Sequence, residues 1–291
     1  MKKLLITGVA LAALIGTPAL AADMAQPVYK APPPLPPPCI WCGWYVGVNA
    51  GYNWSGSNEV STTSTPVLVP GGGINVAFSN ALNSLGTFNS GTRQQGFIGG
   101  GQVGYNWQLN SIVAGIETDI QGIANSGQTR ISNGTIALGF GSGQSVVSTA
   151  TVSQSLDYLG TLRGRAGVLI TPAVLAYATG GLAYGGVRAS TNLTQSLVPN
   201  SLDVGVWNSV GNLSEVRLGW TAGAGVEWKL WSNWSAKAEY LYYDLGSSSY
   251  NGTPIVTTNG GTPFSTNAIR STARFNGNVV RVGLNYNFSS R

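Results

Sequence analysis

Two pairs of side chains in this sequence have the type and spacing to do chemistry. Cys39-Ile-Trp-Cys42 is a C-x-x-C, the spacing of a redox dithiol. Glu117 and Asp119 could act as paired carboxylates in acid–base work. The chain contains no His. That removes Ser-His-Asp and Cys-His catalysis, His-ligated metals and His-ligated haem. No trio of acid, base and nucleophile is discernible, so no enzyme activity and no cofactor is expected. A thioredoxin-like C-x-x-C needs a βαβ surrounding and a helix N-terminus that depresses the thiol pKa. This one lies between a proline run and a strand-like segment. A local Cys39–Cys42 disulfide, formed in an oxidising compartment and closing a small loop, is the expectation. Neither cysteine adjoins the cleavage site described below, which argues against a lipid anchor.

The elements that hold these residues are legible in the hydrophobic period. In Asn278–Phe288, Val280, Val282, Leu284, Tyr286 and Phe288 alternate with Val279, Arg281, Gly283, Asn285 and Asn287. Strand side chains have period two, so one face is apolar and the other mostly small or polar. A strand with lipid on one side and a lumen on the other needs that pattern. Seven further segments resemble it: Trp44–Trp54, Gly96–Trp107, Ile112–Gly122, Asp157–Ile170, Val174–Ser190, Arg217–Lys229 and Trp234–Asp244. The facing of Val174–Ser190 is ambiguous because it is Gly-rich. The expected class is all-β: an eight-stranded antiparallel up-and-down transmembrane barrel over residues 44–288, with 289–291 as a tail.

Composition agrees. Only 9% of residues are charged and 41 of 291 are Gly, against about a quarter charged in a soluble domain. After the N-terminal segment no run of about 20 apolar residues occurs, which leaves a closed barrel as the way to span a bilayer. Residues 1–21 read as an export signal: basic Met1-Lys2-Lys3, an apolar Leu4–Ile15 and an Ala19-Leu20-Ala21 cleavage site. Residues 22–43 form a Pro-rich, polyproline-like periplasmic leader that includes the C-x-x-C. The formal charge of +5 comes from scattered residues, so no nucleic-acid partner is expected.

Three connections are only a few residues long, around Asn110-Ser111, Thr171-Pro172 and Ser232-Asn233. The other four run to roughly 25–40 residues, rich in Ser, Thr, Asn and Gly. Short turns in the periplasm and long loops outside the cell explain this alternation and place both barrel termini in the periplasm. Gly99-Gly-Gly101 and Gly180-Gly181 lie within strands, without a following helix, so they are not nucleotide loops.

The inward positions collect ten charges: Glu117, Asp119, Arg163, Arg165, Arg217, Glu227, Lys229, Lys237, Glu239 and Arg281. Neighbouring strands could pair them, Glu117 and Asp119 with Arg163 and Arg165, and Glu227 and Lys229 with Lys237 and Glu239. Eight strands enclose little more than their own side chains, and buried charges are rarely left unpaired. Six basic against four acidic groups, and inward glycines such as Gly47, Gly51, Gly219, Gly223, Gly225 and Gly283, also allow a narrow passage. Plug and pore both remain open at this point.

Several motifs carry a resemblance. They are Tyr29-Lys30-Ala31-Pro32, Trp44-Tyr45-Val46-Gly47, Gly100-Gly101-Gln102-Val103-Gly104-Tyr105-Asn106-Trp107 and Arg281-Val282-Gly283-Leu284-Asn285-Tyr286-Asn287-Phe288. Over essentially the whole mature chain the sequence resembles the small porin-like outer-membrane immunogenic proteins of alphaproteobacteria. That resemblance implies an eight-stranded outer-membrane barrel with surface-exposed loops and a role in envelope integrity or surface interaction. Some relatives are described as haem binders; in a chain without His that role would need Tyr or other contacts, and it is carried only as a minor alternative. Gly283, Tyr286 and Phe288 resemble the C-terminal signal read by the barrel assembly machinery, although Ser289-Ser290-Arg291 follow here. The expected partners are outer-membrane lipid and lipopolysaccharide, that machinery, and external ligands reached through the loops. The leading function is a non-enzymatic barrel supporting the envelope and presenting loops. The alternatives are a small, weakly anion-preferring porin and loop-mediated binding or adhesion.

Overall fold

The computed structural model describes residues 39–56, 58–67, 76–125, 128–139, 143–199, 205–259 and 262–288. The export signal and most of the proline-rich leader lie outside them, as does the tail. The chain folds as β1 (Gly43–Ser55), β2 (Glu59–Val67), α1 (Val76–Gly86), β3 (Phe88–Gly91), β4 (Gln95–Leu109), β5 (Ile112–Asn125) and β6 (Gln128–Ala137). Then follow β7 (Ser145–Thr171), β8 (Val174–Val198), β9 (Val206–Trp231), β10 (Trp234–Asn251), β11 (Ile255–Asn259) and β12 (Thr262–Asn287).

Eight strands, β1-β4-β5-β7-β8-β9-β10-β12, pair antiparallel in that order, and β12 returns to β1 over Tyr45↔Asn287 to Ser55↔Gly277. Closure leaves the spanning region without an edge, the condition for a sheet in lipid. These eight correspond to the eight alternating segments. The three tight turns share one end of the barrel with the start of β1 and the end of β12. Asn110 adopts φ 53° in the first of these turns, a left-handed conformation that Asn tolerates better than most residues.

The outward face of the lower wall is apolar, with Val48 64%, Phe97 73% and Leu218 75% exposed. Aromatic rings gather near the turn end, where Trp44 packs edge-on against Tyr105 and Trp234 against Tyr286. A second set, Tyr52 with Phe97 and Trp220 with Tyr242, stands further up. The ambiguous Gly-rich segment resolves as part of β8, with Leu175, Tyr177 and Ala183 buried inward and Leu182 outward.

The long connections differ from the expectation of loops. β7, β8, β9 and β12 run 27, 25, 26 and 26 residues, each well beyond the segment read from the sequence. β2, β3, β6, β11 and α1 are added on top as a head. Along β8 the inward positions change from Tyr177 and Thr179 to Val187, Leu193 and Leu197. The outward ones change from Ala178 and Leu182 to Arg188, Asn192 and Ser196. The alternation continues with its polarity reversed. A register shift between Leu156 and Tyr158 achieves the same on β7. Phe78, Ala81 and Leu82 of α1 pack on Val146, Leu193, Leu197, Trp207, Ile255 and Ile269. This small core closes the top of the head.

Candidate functional site: a filled lumen

The interior is stacked in layers. At the turn end Trp41, fully buried, fills the mouth beside Val113, Leu169, Leu175 and Tyr177. Its indole Nε1 donates to the Pro172 carbonyl at 3.1 Å, and its backbone N donates to Gln108 Oε1 at 3.1 Å. Cys39 and Cys42 are disulfide-bonded, with 5.5 Å between their Cα atoms. The C-x-x-C therefore frames a stopper, Trp41, between its two bonded cysteines.

Above it lies the charged layer. Arg163 pairs with Glu117, with Asp119 at 2.8 Å and with Glu239 at 2.9 Å. Arg281 holds Asp119 at 2.9 Å and Glu239 at 2.5 Å. Lys237 Nζ sits 2.8 Å from both Glu117 oxygens. Arg165 reaches Glu227 at 3.0 Å, with its guanidinium between the rings of Tyr45 and Tyr177, 4.9 and 5.1 Å from their centroids. Further hydrogen bonds to the carboxylates come from Tyr45 Oη to Glu117 (2.7 Å), Tyr177 Oη to Glu239 (3.1 Å), Ser235 Oγ to Glu227 (2.6 Å) and Asn285 Nδ2 to Glu227 (2.8 Å). Many of these contacts cross the lumen. Arg163 joins β7 to β10, and Arg281 joins β12 to β5, whereas the sequence suggested pairing mainly between neighbours.

Eight of the ten expected charges meet here: Glu117, Asp119, Arg163, Arg165, Glu227, Lys237, Glu239 and Arg281, all buried. Two do not. Arg217 is higher up and part-exposed, next to Glu215 at 3.5 Å and donating to the Ser247 carbonyl at 2.9 Å. Lys229 lies at the mouth with its Nζ 4.9 Å from the Trp41 ring centroid. Both keep the inward parity but sit beyond the layer's ends. The layer therefore holds four cations against four anions, and the basic excess read from the sequence does not line it.

The inward glycines do not leave an opening either. A Cβ on Gly51 would collide with Arg281, and one on Gly283 would press on Lys237 and Gln102. Gly225 clears space for Tyr177, and Gly104 for Tyr45. Tyr45 and Tyr177 were missed as members of the site. Tyr45 is recoverable from parity, since it faces opposite to Trp44 and Val46. Above the charges, Leu156, Leu159, Val187, Leu241, Leu245, Phe275 and Val279 form an apolar layer.

Among the described residues no group of three or more His, Cys, Asp or Glu could hold a metal ion. Each carboxylate of the charged layer is matched by a guanidinium or ammonium group. That arrangement neutralises and stiffens; it offers no free base or nucleophile. At the C-terminal end, Tyr286 stacks edge-on with Phe288 at 5.2 Å on the outer face, while Gly283 faces the lumen.

Comparisons with known proteins give the family. The family model described as "Outer membrane protein beta-barrel domain" matches residues 7–288. The chain is 33% identical over 290 residues to the 31 kDa outer-membrane immunogenic protein of Brucella melitensis, covering 99% of this chain and all of that protein. It is 26% identical over 253 residues to the 25 kDa outer-membrane immunogenic protein of Brucella abortus, covering 86% of this chain and 88% of that one. Among solved structures, the outer membrane protein OprG from Pseudomonas aeruginosa aligns over 86% of this chain and 97% of its own, at 11% identity and a TM-score of 0.41. By the family match and the near-complete Brucella relative, this chain belongs to the outer-membrane protein β-barrel domain family.

Proposed function

We propose that the protein is a non-enzymatic barrel that reinforces the outer membrane and carries its head on the cell exterior, with both barrel termini in the periplasm. The observation that supports this best is the neutral, cross-lumen charge layer, closed below by Trp41 and above by an apolar core. A pore needs a continuous polar path, and the interior offers three successive barriers to one. The anion-preferring porin drew its support from a basic excess, and Arg217 and Lys229, which supplied it, stand outside the charged layer. Recognition by the assembly machinery through Gly283, Tyr286 and Phe288 belongs to the same reading.

The test is ion conductance of the refolded mature chain in a planar bilayer, after folding is confirmed by heat-dependent gel mobility. No discrete channels are expected. Reproducible channels altered by Arg163→Ala would replace this reading with transport. Orientation is tested separately. Asn192→Cys, on the outward face of the head, should react on intact cells with a membrane-impermeant maleimide.

A further inference from the structure

We propose that the outer wall of β7–β9, where the apolar band gives way to the head, binds the phosphorylated saccharide headgroup of an outer-leaflet glycolipid. A concavity of about 480 Å³ opens there, lined on its exposed face by Ser153, Ser155, Arg188, Ser190, Asn212 and Ser214. Five small hydroxyl or amide side chains around one guanidinium suit a sugar phosphate: the Arg fork fits the phosphate oxygens and the others meet ring hydroxyls.

Its place in the wall selects the class of ligand. Arg188 registers with Ser214, and the next outward positions down β9 are Val216 and Leu218, opposite Gly186 and Tyr184. Val216, Leu218 and Leu182 are exposed apolar side chains. A molecule with a phosphosugar in the groove would lay its acyl chains along this strip, an arrangement open to a glycolipid but not to a soluble sugar. Gly186 helps shape the boundary, since a Cβ there would meet the Tyr158 ring.

A second feature adds hydrogen-bonding capacity. The β9–β10 ladder stops at Trp220↔Asp244, and the next backbone bond between the two segments is Thr253 N to Val210 O at 3.1 Å. Between them residues 212–218 of β9 have no ladder partner on β10, although Gly211 and Gly219 pack against that segment and Arg217 donates across to the Leu245 and Ser247 carbonyls. Such a stretch displays amides and carbonyls beside the groove. Arg188 is itself paired with Asp157 at 2.9 Å, both groups being solvent-accessible. The carboxylate competes with any phosphate, and that competition can be used.

The site rests on the reading that the head faces the outer leaflet, but binding in micelles does not, so the two can fail separately. The experiment titrates the refolded full chain in dodecyl maltoside with hexa-acylated bisphosphorylated lipid A, counting bound lipid by native mass spectrometry. Arg188→Gln should bind about tenfold more weakly, and Asp157→Asn should bind more tightly than the parent. Arg274→Gln removes an equally exposed, Asp244-paired arginine outside the groove and should change nothing. Dephosphorylated lipid A should bind the parent as weakly as bisphosphorylated lipid A binds Arg188→Gln, and millimolar inorganic phosphate should not compete. Unchanged binding by Arg188→Gln or by Asp157→Asn overturns the proposal. So does an equal loss in Arg274→Gln, which means general charge attraction, or displacement by free phosphate, which means a simple anion site.

Discussion

Up to about Gly186 and Val216 the wall is apolar outside and encloses the charged layer; beyond them the same strands are mostly polar outside and apolar inside. The lower half buries Glu117, Arg163 and Arg281, and the upper half buries Leu193, Leu197 and Trp207. The backbone geometry is continuous, so the difference lies in the solvent. Where water surrounds the wall, apolar burial drives packing. Where lipid surrounds it, nothing is gained by hiding a leucine, and the interior must be held by satisfied polar contacts. One β-strand serves both regimes, because period two supplies two faces and the sequence can exchange their roles midway.

The strongest way to break this contrast is to remove a charge below. Glu117→Ala leaves Lys237 and the guanidiniums of Arg163, Arg165 and Arg281 short of a buried counter-charge, and a loss of about 3–5 kcal/mol is expected. It would be read as the urea midpoint of the heat-modifiable form in micelles. A loss under 1 kcal/mol would mean that water replaces the carboxylate and the layer is wetter than its packing indicates.

The outer faces sharpen the same contrast. Val282→Arg, at the middle of the spanning part of β12, should cost about 2–4 kcal/mol. Thr194→Arg, on the outer side of β8 in the head, should stay within about 0.5 kcal/mol. Equal costs in the same unfolding assay, with lipid present, would put the head in the membrane or the band out of it.

A smaller effect than at Glu117 or Val282 is expected at the mouth. Replacing both Cys39 and Cys42 by Ser frees a short loop and should cost about 2 kcal/mol or less. The tryptophan emission should shift to the red as Trp41 meets water, while conductance stays absent because the charged layer is intact. Channels in this variant would make Trp41 the principal seal.

The reversal also explains what could be read from the sequence. The spanning segments carry hydrophobic residues at every second position, and Val280, Val282 and Leu284 announce a strand at once. Eight of the ten lumen charges followed from the same parity. The head segments alternate small polar residues with Val, Ala and Leu, as in Thr191-Asn-Leu-Thr-Gln-Ser-Leu197, and the many Ser, Thr and Asn residues read as loop. Long β7–β9 were therefore cut short. Arg217 and Lys229 were misplaced because parity gives the face but not the height along the strand. The role of Trp41 was invisible for another reason: it precedes the first strand, and its contacts on Gln108, Pro172 and Leu175 are set by the closed ring.

That last position has a bearing on how the molecule is put together. Trp41 lies just ahead of β1, yet its seat is made by β4, β5, β8 and the β7–β8 turn. The seat is incomplete until that part of the wall stands around it. The indole is thus a gauge of the β4–β8 part of the wall and not of the final seam: its seat is complete without β12, so its burial can be watched apart from ring closure.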